Sequence, residues 1–370
     1  MEEITPMDLT VGVLGTGRMA QLHSTALRSI QEKGLVIDGE RHNVAVALYG
    51  RDPVKVSLLA ETCGAAKTST DLESFIDDPD INVIDNCLVN RLHFTPLLRA
   101  IQNGKHVYTD KPLTNTASEG RYLLRAARQA GVHHGIVQNM RFQGGTSKAK
   151  EIIASGVLGR ILHVRGVFGY FVPQRVENRP AWFYQKAEAG GGIVHDMMAH
   201  FFDLLGWMIG PIVRVSCDMT TVYSERETAE GERFRAEVED AATVQMRFAN
   251  GALGDVFVSW ARRKHEEVPY FEIDGEDGSL IFSFNAMHQQ LQANTPGFRY
   301  DPTQLQADPM TGWEPVDLEG GDPFEIQLRA FLEGIVTGVP AKPDWEDGVR
   351  ALELVEAAYE SVDHGRAVHV

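Results

Sequence analysis

A short apolar run at residues 9–14 passes directly into Gly15-Thr16-Gly17-Arg18-Met19-Ala20, and a helical pattern follows through Leu22, Ala26 and Leu27. No other stretch restricts the fold as much. The first glycine permits a tight turn, the second lets a pyrophosphate approach the backbone, and the small Ala20 lets helix pack closely on strand, with phosphate charge at the helix N-terminus. The pattern predicts a dinucleotide-binding unit with Gly15, Thr16, Gly17, Arg18 and Met19 at the cofactor.

The alternation continues. Strands are expected at residues 44–49, 82–88 and 105–109, helices at 53–62, 70–75 and 95–103, and a surface loop over 30–43. Such a βαβ series predicts a doubly wound parallel sheet, whose ligands bind beyond the carboxyl ends of the strands. Here those ends lead into Leu88, Asn90 and His93, and into Asp110-Lys111-Pro112, so these residues are expected to face a nicotinamide. After the second strand, where an acid would bond the ribose diol, the chain has Gly50-Arg51-Asp52. Gly50 and Arg51 favour a ribose 2′-phosphate, hence NADP over NAD, with Asp52 still available for NAD.

A length of 370 residues suits two domains, and the net charge of −16 argues against a nucleic-acid partner. The expected division is 1–137 for NAD(P) binding and 138–370 for substrate binding. Cys63, Cys87 and Cys217 are odd in number and far apart, which supports neither a disulfide framework nor a cysteine zinc site and points to a reducing cytoplasm. The opening Met-Glu-Glu-Ile-Thr-Pro lacks a basic region followed by an apolar run, and no segment approaches a membrane span.

Beyond residue 141 successive strands, at 161–168, 212–221, 240–248, 252–260, 270–275 and 278–284, predict an α+β domain with a mostly antiparallel open sheet. Helices are expected at 147–155, 324–337 and 347–362, and the acidic stretch 224–239 reads as a mobile hairpin tip. Between strands, three glycines at 190–192 precede Asp196, His200 and Asp203, which helical spacing places on one stripe. A carboxylate and an imidazole so placed suit proton transfer at a hydroxyl. Zinc at Asp196 and His200 lacks a third ligand at clear spacing, so no metal is expected. Arg175, Arg179, Trp182 and Tyr184 are candidate pocket walls, with Trp182 suited to stack on a sugar ring; Arg141 and Arg263 are further lining candidates.

These motifs together resemble the Gfo/Idh/MocA family, named after glucose-fructose oxidoreductase and inositol dehydrogenase. The carriers are Gly15 to Ala20, Asn90 to His93, Gly104-Lys-His-Val-Tyr-Thr-Asp-Lys-Pro112, Asn139-Met-Arg-Phe142, Gly190 to Asp203, and Glu239-Asp-Ala-Ala242 leading into Phe248-Ala-Asn-Gly-Ala252. The resemblance covers nearly the whole chain, with Asp110 where the family has Glu and Val89 where it has Pro. It implies a catalytic Lys111 with a cis bond to Pro112, Asp196 and His200 as a catalytic pair, Asn139 at the cofactor, and Lys111, Arg141, Trp182, Asp196 and His200 at the substrate. It further implies a homo-oligomer, dimer or tetramer, assembled through the open sheet face. The implied activity is hydride transfer between NAD(P) and a secondary hydroxyl or ketone of a sugar, cyclitol or glycoside. A closed-cycle enzyme that retains its cofactor, passing through a 3-keto sugar or coupling oxidation of one substrate to reduction of another, and a non-catalytic nucleotide sensor, are the alternatives.

Overall fold

The computed structural model describes residues 7–177, 179–263, 269–297 and 310–370; the opening hexapeptide lies outside them. The chain forms two compact units, one of Met1–Asn139, Gln185–Gly190 and Gly321–Glu353, the other of Met140–Tyr184, Gly191–Gly320 and Leu354–Val370.

In the first unit seven strands form one sheet. Six lie in the order Leu35–Ile37, Glu40–Tyr49, Asp8–Leu14, Val83–Asn86, His106–Thr109, His134–Ile136, and Lys67–Ser69 pairs with Glu40–Tyr49. All pairs are parallel except Leu35–Ile37 with Glu40–Tyr49, so the sheet is the doubly wound one the alternation predicts. Helices cover both faces. Local chemistry starts and stops them: Asp52 accepts from Val54 and Lys55 N–H to cap the helix Pro53–Cys63, and Gly64 ends it in the left-handed region. Residues 30–43 are not the surface loop expected. The first helix, Arg18–Lys33, runs into them, and Asp38 and Gly39, both at positive φ, turn a hairpin that buries Leu35 completely.

A single cut at residue 137 also separates the late helices from the sheet they cover. Leu328, Phe331, Leu332 and Ile335 of Pro323–Thr337 share one apolar cluster with Val11, Val13, Ala26 and Ile30, while Trp345 and Val349 join the cluster of Ile84, Leu97 and Ile136. Trp345 is fully buried, and its indole N–H donates to the Gly135 carbonyl at 2.9 Å.

The second unit is built on a nine-stranded sheet, in the order Glu314–Pro315, Met287–Leu291, Gly278–Phe282, Tyr270–Gly275, Ile161–Gly169, Leu253–Ser259, Ala241–Phe248, Ile212–Thr220, Val368–His369. Among the described residues of this sheet, only Ile161–Gly169 and Leu253–Ser259 pair in parallel. One face packs on the helix Ala199–Ile209 through Phe201, whose ring is 5.4 Å from that of Phe271, itself 4.9 Å from that of Phe282. The other face shows strict alternation along Ala241–Phe248, where Thr243, Gln245 and Arg247 are exposed.

The stretch 224–239 is anchored, contrary to the mobile tip expected. Glu225–Thr228 and Arg233–Arg235 form a hairpin joined by Arg175–Val176. Arg226, fully buried, pairs with Asp240 at 3.0 Å and lies 4.4 Å over the Tyr184 ring.

Candidate functional site

In the first unit, strand order reverses between Asp8–Leu14 and Val83–Asn86, where open α/β sheets form their ligand crevice. The glycine turn sits at this point. Gly15 adopts φ +116°, and a Cβ there would stand 3.0 Å from the Cys87 carbonyl oxygen. At Gly17 nothing lies within 4 Å of where a Cβ would be, so the backbone is open to a ligand. The helix Arg18–Lys33 has neither a side-chain cap nor an acid in its first turn. Its ladder begins only when Gln21 N–H reaches the Gly17 carbonyl at 3.0 Å. Arg18, Met19 and Ala20 thus leave their N–H groups to an anion, and this cradle fits a dinucleotide pyrophosphate. Beneath the turn, His23 and Asp85, both fully buried, pair at 2.9 Å, with the Cys87 sulfur 3.3 Å from the same ring nitrogen.

Gly50 owes its place to packing, because a Cβ there would stand 2.6 Å from the Thr16 methyl carbon and 2.7 Å from Val56. Arg51 is exposed beside it. Asp52, read above as available to a ribose, has its carboxylate turned onto its own helix as the cap, Val54 N–H donating at 3.0 Å.

The two loops beyond the strand ends divide between exposed and internal roles. Lys111 is half-buried at the end of His106–Thr109, its bond to Pro112 cis and its N–H donating to the Asp110 carboxylate at 2.8 Å. Burial pushes the Asp110 carboxyl up, and the charges of Lys111, His23 and His93 pull against that. Leu88 is half-buried, and Asn90 donates to the Ala189 carbonyl at 2.9 Å. His93 departs from expectation. It is fully buried, and both ring nitrogens face backbone carbonyls, so it lies within the wall rather than on it. Asn139 begins the 3₁₀ turn Asn139–Phe142 at the unit's end.

In the second unit the stripe Asp196, His200, Asp203 is not one regular helix. Val194–Met198 forms a π-helical turn carrying Asp196, and the α-helix Ala199–Ile209 carries His200 and Asp203. Such turns re-aim side chains at functional sites. Glu239, named above as part of a family motif but given no site role there, shapes the turn. Its carboxylate accepts from Gly192 N–H at 3.1 Å, Val194 N–H at 2.9 Å and the Tyr359 hydroxyl at 2.9 Å. Burial raises its pKa, and these bonds to the charged form oppose the rise. The approach is close enough to require glycine. A Cβ on Gly192 would lie 1.9 Å from the Glu239 carbonyl oxygen, and one on Gly191 2.1 Å from the Tyr359 hydroxyl. The available signal was Glu239-Asp240, two acids opening an apolar strand, since buried carboxylates must find donors.

Asp196 faces Arg179 at 3.7 Å, and the guanidinium is held between the Trp260 and Phe183 rings at 4.3 and 4.6 Å and donates to the Tyr170 hydroxyl. Burial, ahead of Arg179's opposing charge, leaves the Tyr170 phenol pushed up to about 12. Trp182 is half-buried and stacked on Phe183 at 4.1 Å. Arg141 is buried, and its Nε donates to Asp203 at 2.7 Å. Its fork therefore serves the fold, while Asp203 is the structural carboxylate that ties helix to neighbour. Arg263 is exposed, 3.9 Å over the Phe171 ring.

A parallel sheet of this strand order, with an open glycine turn at its switch point, defines a nicotinamide-dinucleotide-binding oxidoreductase domain. Residues 9–137 match the family model described as "Oxidoreductase family, NAD-binding Rossmann fold", and residues 146–281 match "GFO/IDH/MocA C-terminal domain". The chain is 30% identical to the D-xylose dehydrogenase of Paenarthrobacter nicotinovorans over 90% of its own length and 88% of that protein's. It is 28% identical to the levoglucosan dehydrogenase of Pseudarthrobacter phenanthrenivorans over 96% of each chain. Among solved structures, levoglucosan dehydrogenase in complex with NADH and L-sorbose superposes with a TM-score of 0.85 at 27% identity, covering 98% of each chain. The protein belongs to the Gfo/Idh/MocA family and is an NAD(P)-dependent oxidoreductase.

Proposed function

We propose that this enzyme oxidises or reduces a secondary hydroxyl or ketone of a sugar, cyclitol or glycoside, with Lys111, Asp196 and His200 as its catalytic groups. The single observation that supports this most is the buried Glu239 carboxylate that shapes the glycine loop and thereby aims Asp196 and His200. A fold kept only to sense a nucleotide has no need of that device. The nicotinamide, when bound, supplies the hydride chemistry. Lys111 donates a hydrogen bond to the reacting oxygen, His200 accepts or returns its proton at a ring nitrogen, and Asp196 orients the hydroxyl. Trp182 is the candidate for stacking on the sugar ring.

NADP is the proposed preference. Supporting it are the exposed Arg51 and the engagement of Asp52 as a helix cap, which removes the acid that would bond a ribose diol. The first unit is proposed to bind dinucleotide through Gly15, Thr16, Gly17, Arg18, Met19, Gly50 and Arg51. The second is proposed to bind substrate and to assemble a homo-oligomer through its open sheet face, where Leu162, Leu253 and Phe257 are exposed. A cytoplasmic location accords with three free cysteines, and no described helix is long and apolar enough to cross a membrane.

The test is turnover with NAD⁺ and NADP⁺ across sugars, inositols and glycosides, followed by reduced-nicotinamide absorbance. Lys111→Met should abolish turnover and retain dinucleotide binding; a Lys111→Met enzyme of full activity refutes the assignment.

A further inference from the structure

His93 lies where two loops leave adjacent parallel strands, Val83–Asn86 and His106–Thr109. The first loop is closed on itself by Asn86, whose carbonyl side-chain oxygen accepts from Leu88 N–H at 3.2 Å and whose amide donates to the His93 carbonyl at 3.4 Å. The imidazole then reaches across to the second loop. Its Nδ1 is 2.8 Å from the Pro112 carbonyl oxygen and its Nε2 is 2.9 Å from the Leu88 carbonyl oxygen, in a ring with no exposed surface. Carbonyl oxygens only accept hydrogen bonds, and a neutral imidazole has one N–H. In the neutral ring one nitrogen lone pair would therefore press on an oxygen lone pair at hydrogen-bond distance, away from water, an uncompensated polar contact.

We propose that His93 is a positioning residue whose imidazole carries a proton on both nitrogens and staples the Leu88 carbonyl to the Pro112 carbonyl, fixing the loop that bears Lys111. A buried cation needs a nearby counter-charge, and Asp110 supplies it. That carboxylate is within electrostatic reach of the cationic groups His93, His23 and Lys111, and also of the Cys87 thiol and the Tyr108 phenol, which burial and neighbouring acids keep neutral. The staple also explains why a histidine seven residues beyond the end of the strand Val83–Asn86 is fully buried. Phenylalanine would fill the space and bond neither carbonyl; glutamine could donate to one loop but its single amide nitrogen cannot span both.

The protonation state is tested on the wild-type enzyme by neutron diffraction of perdeuterated crystals near neutral pH. Deuterons on both Nδ1 and Nε2 of His93 are expected; a deuteron on only one nitrogen overturns the staple. The positioning role rests on the reading of Lys111 as catalytic and is read separately from His93→Phe and His93→Gln. Both should lower kcat at least tenfold while KM for the dinucleotide changes less than threefold. A raised KM with unchanged kcat would instead make His93 a cofactor contact and overturn the positioning role. If Lys111→Met stays active while both deuterons are present, the proposed catalytic assignment fails and the staple stands.

Discussion

Replacing Gly192 by alanine tests the idea that Glu239 holds the catalytic turn by close backbone approach. The new Cβ would stand 1.9 Å from the Glu239 carbonyl oxygen and 2.8 Å from its carbonyl carbon, where ordinary contact begins near 3.4 Å. These two obstructing atoms are backbone and cannot rotate away, and the Glu239 carboxyl carbon stands 2.8 Å off as well. Relief means separating the turn from the strand lead-in by more than 1 Å, at an overpacking cost of about 1–3 kcal/mol. That movement also breaks the bond from Ile193 N–H to the Glu239 carbonyl, 3.0 Å long, at about 1 kcal/mol, and weakens the two donated to the Glu239 carboxylate. A loss of about 3 kcal/mol lowers the melting temperature of a unit this size by roughly 6–12 °C. The same displacement at Asp196 should cost about 100-fold in kcat. Two companions calibrate the result. Gly191→Ala meets the Tyr359 hydroxyl, the end of a side chain, and should cost less; Gly206→Ala, inside the helix with nothing within 4 Å, should stabilise by about 0.5–1 kcal/mol. Differential scanning calorimetry and steady-state kinetics on the three variants give both readouts. Gly192→Ala melting within about 2 °C of wild type, with kcat unchanged, would refute the reasoning.

Arg226→Met should destabilise by about 3–5 kcal/mol because it strands the buried Asp240 carboxylate, and adding Asp240→Asn should recover part of the loss in the same thermal assay. His23 carries a pH signature: burial pulls its pKa down, but the charge and hydrogen bond of Asp85 outweigh that and leave it above 6.5. A raised folded-state value contributes stability fully below pH 6.5 and loses it as pH rises through the folded pKa, so the stability gap between wild type and His23→Asn should narrow from pH 6 to pH 9 in urea titrations. A gap that widens would contradict the pairing. Arg51→Ala should raise KM for NADP⁺ about tenfold, the worth of one charge-assisted contact of about 1.5 kcal/mol, and leave KM for NAD⁺ unchanged; equal effects on both would end the proposed preference. Phe257→Glu, on the open sheet face, should shift the protein to monomer in light scattering if that face assembles the oligomer.

Much of the architecture was legible because its signals are local. The run from residue 9 to Ala20 determines strand, turn and helix through backbone sterics and one glycine at positive φ, and the strand alternation beyond it specifies a parallel sheet. One local signal went unused: Asp38-Gly39 directly after the apolar Leu35-Val36-Ile37 marks a two-residue hairpin, and residues 35–37 pair with 40–42 across it. Asp52 was legible as a helix cap by the same logic, since it precedes Pro53 at a helix start.

What the sequence alone determined, then, is the dinucleotide cradle, the order of elements and the residue types able to move a proton. Tertiary structure decided which polar side chains face outward and which are consumed internally. Arg141 is taken by Asp203, Arg226 by Asp240, and His93 by two carbonyls, while Glu239, in sequence only one member of a family motif, shapes the turn under Asp196. The physical reason is range. Turns and caps depend on neighbours a few residues away, whereas the partner that satisfies a buried charge lies 62 residues away for Arg141 and 45 for Glu239 along the chain, and only packing brings it there.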